Sequence, residues 1–454
     1  MKDSNNMNRR VFLIKTGTAA AGLGLAGPAA SIVTSDKQKA KKRIAIVGTG
    51  IRGTDMWGRD VVRSYGDNVE LVGLCDINPG RVQYAKEYIG INCPTFTDFE
   101  KMVQETKPET IIVTTVDATH NEFITKGLEM NCDIITEKPM TTDETKCQAI
   151  LDSERKSGKK VTVTFNYRYS PHRQKIKELL MEKRIGEVTS SDFHWYLDTS
   201  HGADYFRRWH GQREKSGTLL VHKASYHFDL LNWWLDSEPQ EIFAYGNLEF
   251  YGKNNSFRSE KCRGCEHKSK CRFFFDMTKN ERLMKLYADN EKYDNYFRDG
   301  CLWRNSINIF DKMAVQIKYA NNVQVSYSLT TYSPYEGYRI AFNGTKGRLE
   351  AWIQERQPWP MEDYDQLRVT ENFGKTELIN IPHSEGGHGG GDTRMKDKIF
   401  KNPDEQDTYV QAAGTRDGAM AILLGIAARN SIDTGKPVKI ADLTDLKPQA
   451  KRPA

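Results

Sequence analysis

Apolar and polar positions follow two rhythms along this chain. Short strand-like runs end in glycine or an acid, and stretches with helical spacing separate them. Lys42–Val47 reads as a buried strand, with Gly48-Thr49-Gly50-Ile51-Arg52-Gly53 directly behind it. A helical stretch then runs toward Tyr65, and a second strand, Val69–Cys75, ends at Asp76. Thr110–Val116 predicts a strand, His120–Asn131 a helix, Asp133–Thr136 a strand, Asp143–Ser157 a helix and Val161–Phe165 a strand. Such alternation predicts an α/β, doubly wound parallel sheet. Ligands of these sheets sit beyond the carboxyl ends of the strands. Thr114–His120 and Glu137-Lys138-Pro139 fall there.

Strand, glycine loop, helix, strand and acid in that order form a dinucleotide-binding fingerprint. Gly48 makes the tight turn, Gly50 admits the pyrophosphate, and Gly53 lets helix and strand pack closely. Ile51 and Arg52 complete the loop, and the helix start offers N–H groups to phosphates. Asp76 stands 23 residues after Gly53, about where an acid for the adenosine ribose is expected. Its charge favours NAD over NADP, while Arg81 nearby pulls the other way.

The chain has 454 residues, 38% hydrophobic and 28% charged, with a net charge of +6. That composition excludes a fibrous or disordered chain. Residues 1–43 hold nine Lys/Arg and two Asp, so the remainder is close to neutral. The basic pI therefore gives no argument for nucleic-acid binding. The opening Arg9-Arg10-Val11-Phe12-Leu13-Ile14-Lys15, with the Gly/Ala/Leu-rich stretch after it, resembles a twin-arginine export signal. Residues 1–35 are read as signal and linker. A periplasmic location and the twin-arginine machinery as a partner follow from that likeness.

The glycine loop, Asp76, the Val116–His120 turn, Glu137-Lys138-Pro139 and the closing Ser431–Val438 together resemble the glucose-fructose oxidoreductase/inositol dehydrogenase (Gfo/Idh/MocA) family. The resemblance implies a Rossmann domain at 42–160. It also implies a C-terminal α/β domain at 161–454 with a large open, mainly antiparallel sheet, and a homo-oligomer. It places Lys138 beside the nicotinamide, with Thr115, His120 and Glu137 lining the cofactor. The expected activity is an NAD(P)-dependent oxidoreductase with a retained cofactor, acting on a carbohydrate or polyol. The family's Asp and, four residues on, His are replaced here by His222 and Tyr226, read as acid/base groups. Of His222 and His227, His227 is the one expected in the core, although it too is a substrate-side candidate.

Asn166, Tyr167 and Arg168, with Arg208 and Trp209, are rings and polar ends suited to a polyol. His388, in the Glu385–Asp392 loop, resembles the Gly-His-Gly-Gly segment of NAD-dependent α-N-acetylgalactosaminidases. That likeness supplies an alternative activity, redox-neutral glycoside cleavage by oxidation, elimination, hydration and re-reduction. A sugar-binding protein with a dead cofactor site is the alternative from another class. Finally, Cys262, Cys265, Cys271 and Cys301 lie in a stretch of about 251–305 read as an insertion. Their spacing suits structural zinc, and two disulfides suit an exported protein equally.

Overall fold

The computed structural model describes residues 40–453; the leader expected at 1–35 lies outside them. Six strands make a parallel sheet: β1 (Lys42–Val47), β2 (Val69–Cys75), β3 (Thr95–Phe96), β4 (Thr110–Val113), β5 (Asp133–Thr136) and β6 (Val161–Val163). Their order is β3-β2-β1-β4-β5-β6, so the winding reverses between β1 and β4. The doubly wound sheet expected from the alternation is formed. Its sixth strand falls just past position 160. Helices Pro79–Ile89 and Phe99–Thr106, not picked out by the pattern, begin at side-chain caps from Asn78 and Asp98.

β4 stops three residues earlier than expected because Thr114 is drawn onto the glycine loop. Its N–H donates to the Val47 carbonyl at 2.9 Å, and its hydroxyl donates to the Gly48 carbonyl at 2.5 Å. Val116 then leads into the turn Asp117–Thr119.

Nine strands make the second sheet. They are β7 (Val188–Asp198), β8 (Pro239–Asn247), β9 (Lys312–Tyr319), β10 (Gln324–Ser333), β11 (Glu336–Gly344), β12 (Gly347–Arg356), β13 (Tyr364–Glu371), β14 (Thr376–Pro382) and β15 (Val438–Lys439). The order is β14-β13-β12-β11-β7-β10-β9-β8-β15, and only the β7–β10 pair is parallel. Strict alternation of buried and outward residues along β9 and β10 leaves one face of the sheet open. Its other face buries Phe193, Trp195, Tyr327 and Tyr338. Helix Ala224–Leu235 has every one of its twelve residues buried, the polar Ser225, His227, Asp229 and Asn232 included.

Candidate functional site

The carboxyl ends of β1, β2, β4 and β5 converge on one cleft. Gly48 turns there with φ +93, and a Cβ on it would lie 2.6 Å from the Thr114 carbonyl carbon. A Cβ on Gly53 would strike the Gly48 oxygen at 2.1 Å, whereas Gly50 has room. The first and third glycines are thus fixed by packing. The second leaves an opening, and the Ile51 N–H points to a hydroxyl at 3.1 Å. That cradle fits a pyrophosphate. Asp76 is held by Thr49 N at 2.7 Å, Asn78 N at 2.9 Å and Arg81 Nη2 at 3.1 Å. Ile77 beside it is 73% exposed, an apolar surface suited to a flat base. A bound dinucleotide would use these groups and would supply a hydride acceptor or donor.

Arg52 and Glu137 bind each other instead of standing free. Arg52 donates to Glu137 Oε1 through Nε at 3.0 Å and Nη2 at 2.7 Å, and Trp57 Nε1 donates to the same oxygen at 2.7 Å. His120 is buried, with Nδ1 at 2.8 Å from the Pro139 carbonyl and Nε2 at 3.1 Å from that of Thr115. It therefore pins the loops after β4 and β5 together, and Thr115 lies at the mouth between them.

Lys138 is only 7% exposed. Its ammonium donates to the His222 carbonyl at 2.8 Å and lies 4.0 Å above the Tyr226 ring. Burial lowers its pKa to about 7, with Asp117 the largest charge opposing the fall. His222 Nδ1 lies 2.6 Å from Asp117 Oδ2. Burial raises Asp117 well above the usual carboxylate range and holds His222 well below the usual imidazole range, where Lys138 and Arg208 add to the effect. In the tautomer that directs its Nδ1 proton at Asp117, His222 leaves Nε2 as an acceptor. His210 meets the His222 ring edge-on at 4.1 Å and is stacked on Trp209 at 3.6 Å.

Two features of the chain put these groups in place. His222 ends a short helix, Leu219–His222, and Tyr226 lies in the next one, so the two sit on separate helices. Thr218, just before that short helix, is buried with φ +90, a conformation costly for a branched residue. The strain sits where the chain presents His222.

On the far side, Tyr167 stacks on Tyr226 at 4.4 Å, and His388 approaches the Tyr167 ring at 5.3 Å. His388 Nδ1 is 2.9 Å from Asn166 Nδ2 and 2.9 Å from Asp392 Oδ2. Asp392 also faces Arg52 at 3.9 Å. The Gly-rich loop is thereby tied to the glycine loop of the first domain. Lys138, His222, Tyr226, Tyr167, Asn166, Arg208, Trp209 and His388 are brought together.

Three expectations need correction. Arg168 does not face a ligand: it is fully buried, with Nε 2.8 Å from Asp229 Oδ2 and Nη2 3.1 Å from Asp417 Oδ1. His227 is likewise buried, stacked on Trp195 at 3.9 Å with Nδ1 2.7 Å from the Tyr327 hydroxyl, so it belongs to the core and not to a substrate surface. Of the two readings of the cysteine cluster, disulfides are not formed. All eight cysteines are free, and no group of three or more His, Cys, Asp or Glu among the described residues is placed to hold a metal ion. Cys262 instead accepts from Arg207 Nη1 at 3.2 Å.

The family models match two parts of the chain. The one described as the oxidoreductase family's NAD-binding Rossmann fold covers residues 42–165, and the one for its C-terminal alpha/beta domain covers 177–440. The chain belongs to the Gfo/Idh/MocA oxidoreductase family. YteT of Bacillus subtilis (strain 168) is 36% identical over 421 residues, spanning 88% of this chain and 98% of that protein. The inositol 2-dehydrogenase/D-chiro-inositol 3-dehydrogenase of Lactiplantibacillus plantarum is 25% identical over 204 residues, 45% of this chain and 55% of that protein. Among solved structures, an oxidoreductase from Agrobacterium radiobacter in complex with NAD+, L-tartaric acid and magnesium has a TM-score of 0.62. It is 14% identical and covers 89% of this chain and 100% of that one. Within the family this chain is an NAD(P)-dependent oxidoreductase.

Asp117 is the site residue that the motif reading did not assign. The signal was present, since an acid in the turn after β4 stands at the winding reversal. Its partner lies 105 positions away, and no spacing rule connects them.

Proposed function

We propose that the protein oxidises a carbohydrate or polyol hydroxyl with a retained NAD, which a second carbonyl substrate then reoxidises. The observation that carries the reading is the buried Lys138 amine, with a pKa of about 7, beside the Asp117–His222 pair at the carboxyl ends of β4 and β5. A bound oxidised nicotinamide would accept the hydride that leaves the substrate C–H bond. The hydroxyl proton passes to neutral Lys138 or to His222 Nε2, and the C–O bond becomes a carbonyl. In the return half, the oxygen of the second carbonyl substrate would take the stored proton from Lys138 or His222 as its carbon is reduced. Arg208, whose charge is felt at His222, supplies positive charge beside the developing alkoxide.

NAD is favoured over NADP because Arg81, beside Asp76, is engaged by that acid and by Asp294. The paired arginines of the leader support export to the periplasm by the twin-arginine route. An exported enzyme meets little free nucleotide, which is why retention forms part of the reading. The open face of the second sheet supports a homo-oligomer.

His388 against Tyr167 and Tyr226 favours a second reading, glycoside cleavage without net redox change. One experiment separates the two. Purified protein is mixed with polyols and aldoses, and separately with chromogenic glycosides, while reduced nicotinamide is followed in the near ultraviolet. Reduction of the bound nucleotide that a second aldose reverses supports the oxidoreductase. Release of aglycone with no net reduction supports the glycosidase. No reduction by any polyol, together with no nucleotide uptake, refutes both.

A further inference from the structure

The chain between β8 and β9 contributes no strand to either sheet. Part of it, in helices Glu281–Leu286 and Glu291–Asp294 and the turn Ala288–Asn290 between them, lies on the dinucleotide cradle. The hydroxyl that receives the Ile51 N–H at 3.1 Å is that of Tyr287. It is also the nearest atom, at 3.4 Å, to a Cβ built on Gly50. The Asn290 carbonyl accepts from Asn78 Nδ2 at 2.9 Å, and the Asn290 side chain fills the space above Gly80. Asp294 takes Arg81 Nη1 at 2.5 Å, while Arg81 Nη2 holds Asp76. Arg282 pairs with Asp55, just beyond the glycine loop.

Two of these contacts land on groups that a dinucleotide uses, the Ile51 N–H and, through Arg81, Asp76. The Ile51 N–H is a pyrophosphate donor in such loops. A phenolic hydroxyl accepts an N–H and still has its own proton to give to a phosphate oxygen. Asp76 and Asp294 together outweigh the single guanidinium between them. The balance at the ribose edge is negative, and a 2′-phosphate is repelled there.

We propose that residues 282–294 form a clasp over the pyrophosphate and adenosine ribose, with the Tyr287 hydroxyl as a phosphate ligand and Asp294 as the residue that excludes a 2′-phosphate. The clasp rests on the dinucleotide reading given above, and it explains how the cofactor is retained.

The test is nucleotide release, not turnover. Full-length protein is loaded with NADH and chased with excess NAD+, and loss of bound-NADH fluorescence is timed. Tyr287→Phe is expected to release NADH about tenfold faster, the factor set by one lost hydrogen bond to a charged group. Asp294→Asn is expected to raise affinity for NADPH relative to NADH by about tenfold. Thermal melting of each variant without nucleotide confirms the fold. Wild-type protein that takes up no NADH refutes the dinucleotide reading itself. Uptake with unchanged release in Tyr287→Phe overturns the clasp alone, and an unchanged NADPH/NADH ratio in folded Asp294→Asn overturns the selector.

Discussion

Asp117→Asn keeps the shape of a buried side chain and removes its charge, which makes it the sharpest probe of the acid/base cluster. Two consequences follow from the geometry. The His222 imidazole, 2.6 Å away at Nδ1, loses the acid it is paired with. Lys138, lowered by burial to about 7, loses the largest charge holding its pKa up. An opposite charge at close range is worth about one pKa unit or more. The Lys138 amine should then titrate about one pH unit lower. With the neutral Lys138 amine as proton acceptor, the acid limb of the rate profile follows that titration. In the wild type the limb should lie near pH 7, and in the variant it should lie about one unit below. The plateau should fall by about a hundredfold, the lower end of what a positioned acid/base group contributes. The assay is single-turnover reduction of bound NAD by substrate across the pH range. Calorimetry of the same samples shows that both proteins are folded. A limb that stays in place or moves to higher pH refutes the coupling between Asp117 and Lys138. An undiminished plateau refutes the role of the Asp117–His222 pair.

Lys138→Met should lower the same rate by about 10²- to 10⁴-fold while nucleotide uptake persists, as equilibrium titration with NADH would show; a loss much below tenfold removes Lys138 from the chemistry. Its effect on stability has a definite sign. The folded-state pKa, about 7, lies below the ordinary 10.5, so the wild type gains stability as pH rises between those values. The melting advantage of the methionine variant should therefore be largest below neutrality and shrink toward pH 10. Arg168→Met leaves Asp229 buried without its partner, while Asp417 keeps Arg452, and should cost about 3–5 kcal/mol in urea unfolding. Burial already holds the Asp229 pKa up at about 6, against the pull of Arg168. The loss should ease as pH falls and that acid protonates. An unchanged midpoint with a raised KM would return Arg168 to the substrate surface.

These outcomes also mark where sequence reading succeeds. The nucleotide half was legible because its logic is local. β1, the glycine loop, β2 and Asp76 occur within one short stretch, and each glycine's role depends on neighbours in that stretch. The second sheet was expected only through family resemblance. β7 lies between β10 and β11, whose residues are more than a hundred positions away, and alternation cannot supply such pairings. Arg168 shows why residue type alone misled. A Tyr/Arg/Asn cluster suits a polyol surface, but the acids that bury this arginine sit 61 and 249 positions away. Asp117 and His222 show the same limit at the chemical centre. What distinguishes these groups is proton affinity, which burial and distant partners set. Lys138 was identified by its neighbours in sequence, yet its pKa near neutrality comes from enclosure by His222 and Tyr226. The motif locates the reacting group, and the long-range packing tunes it, so a relative that shares Glu-Lys-Pro but lacks this enclosure should titrate differently.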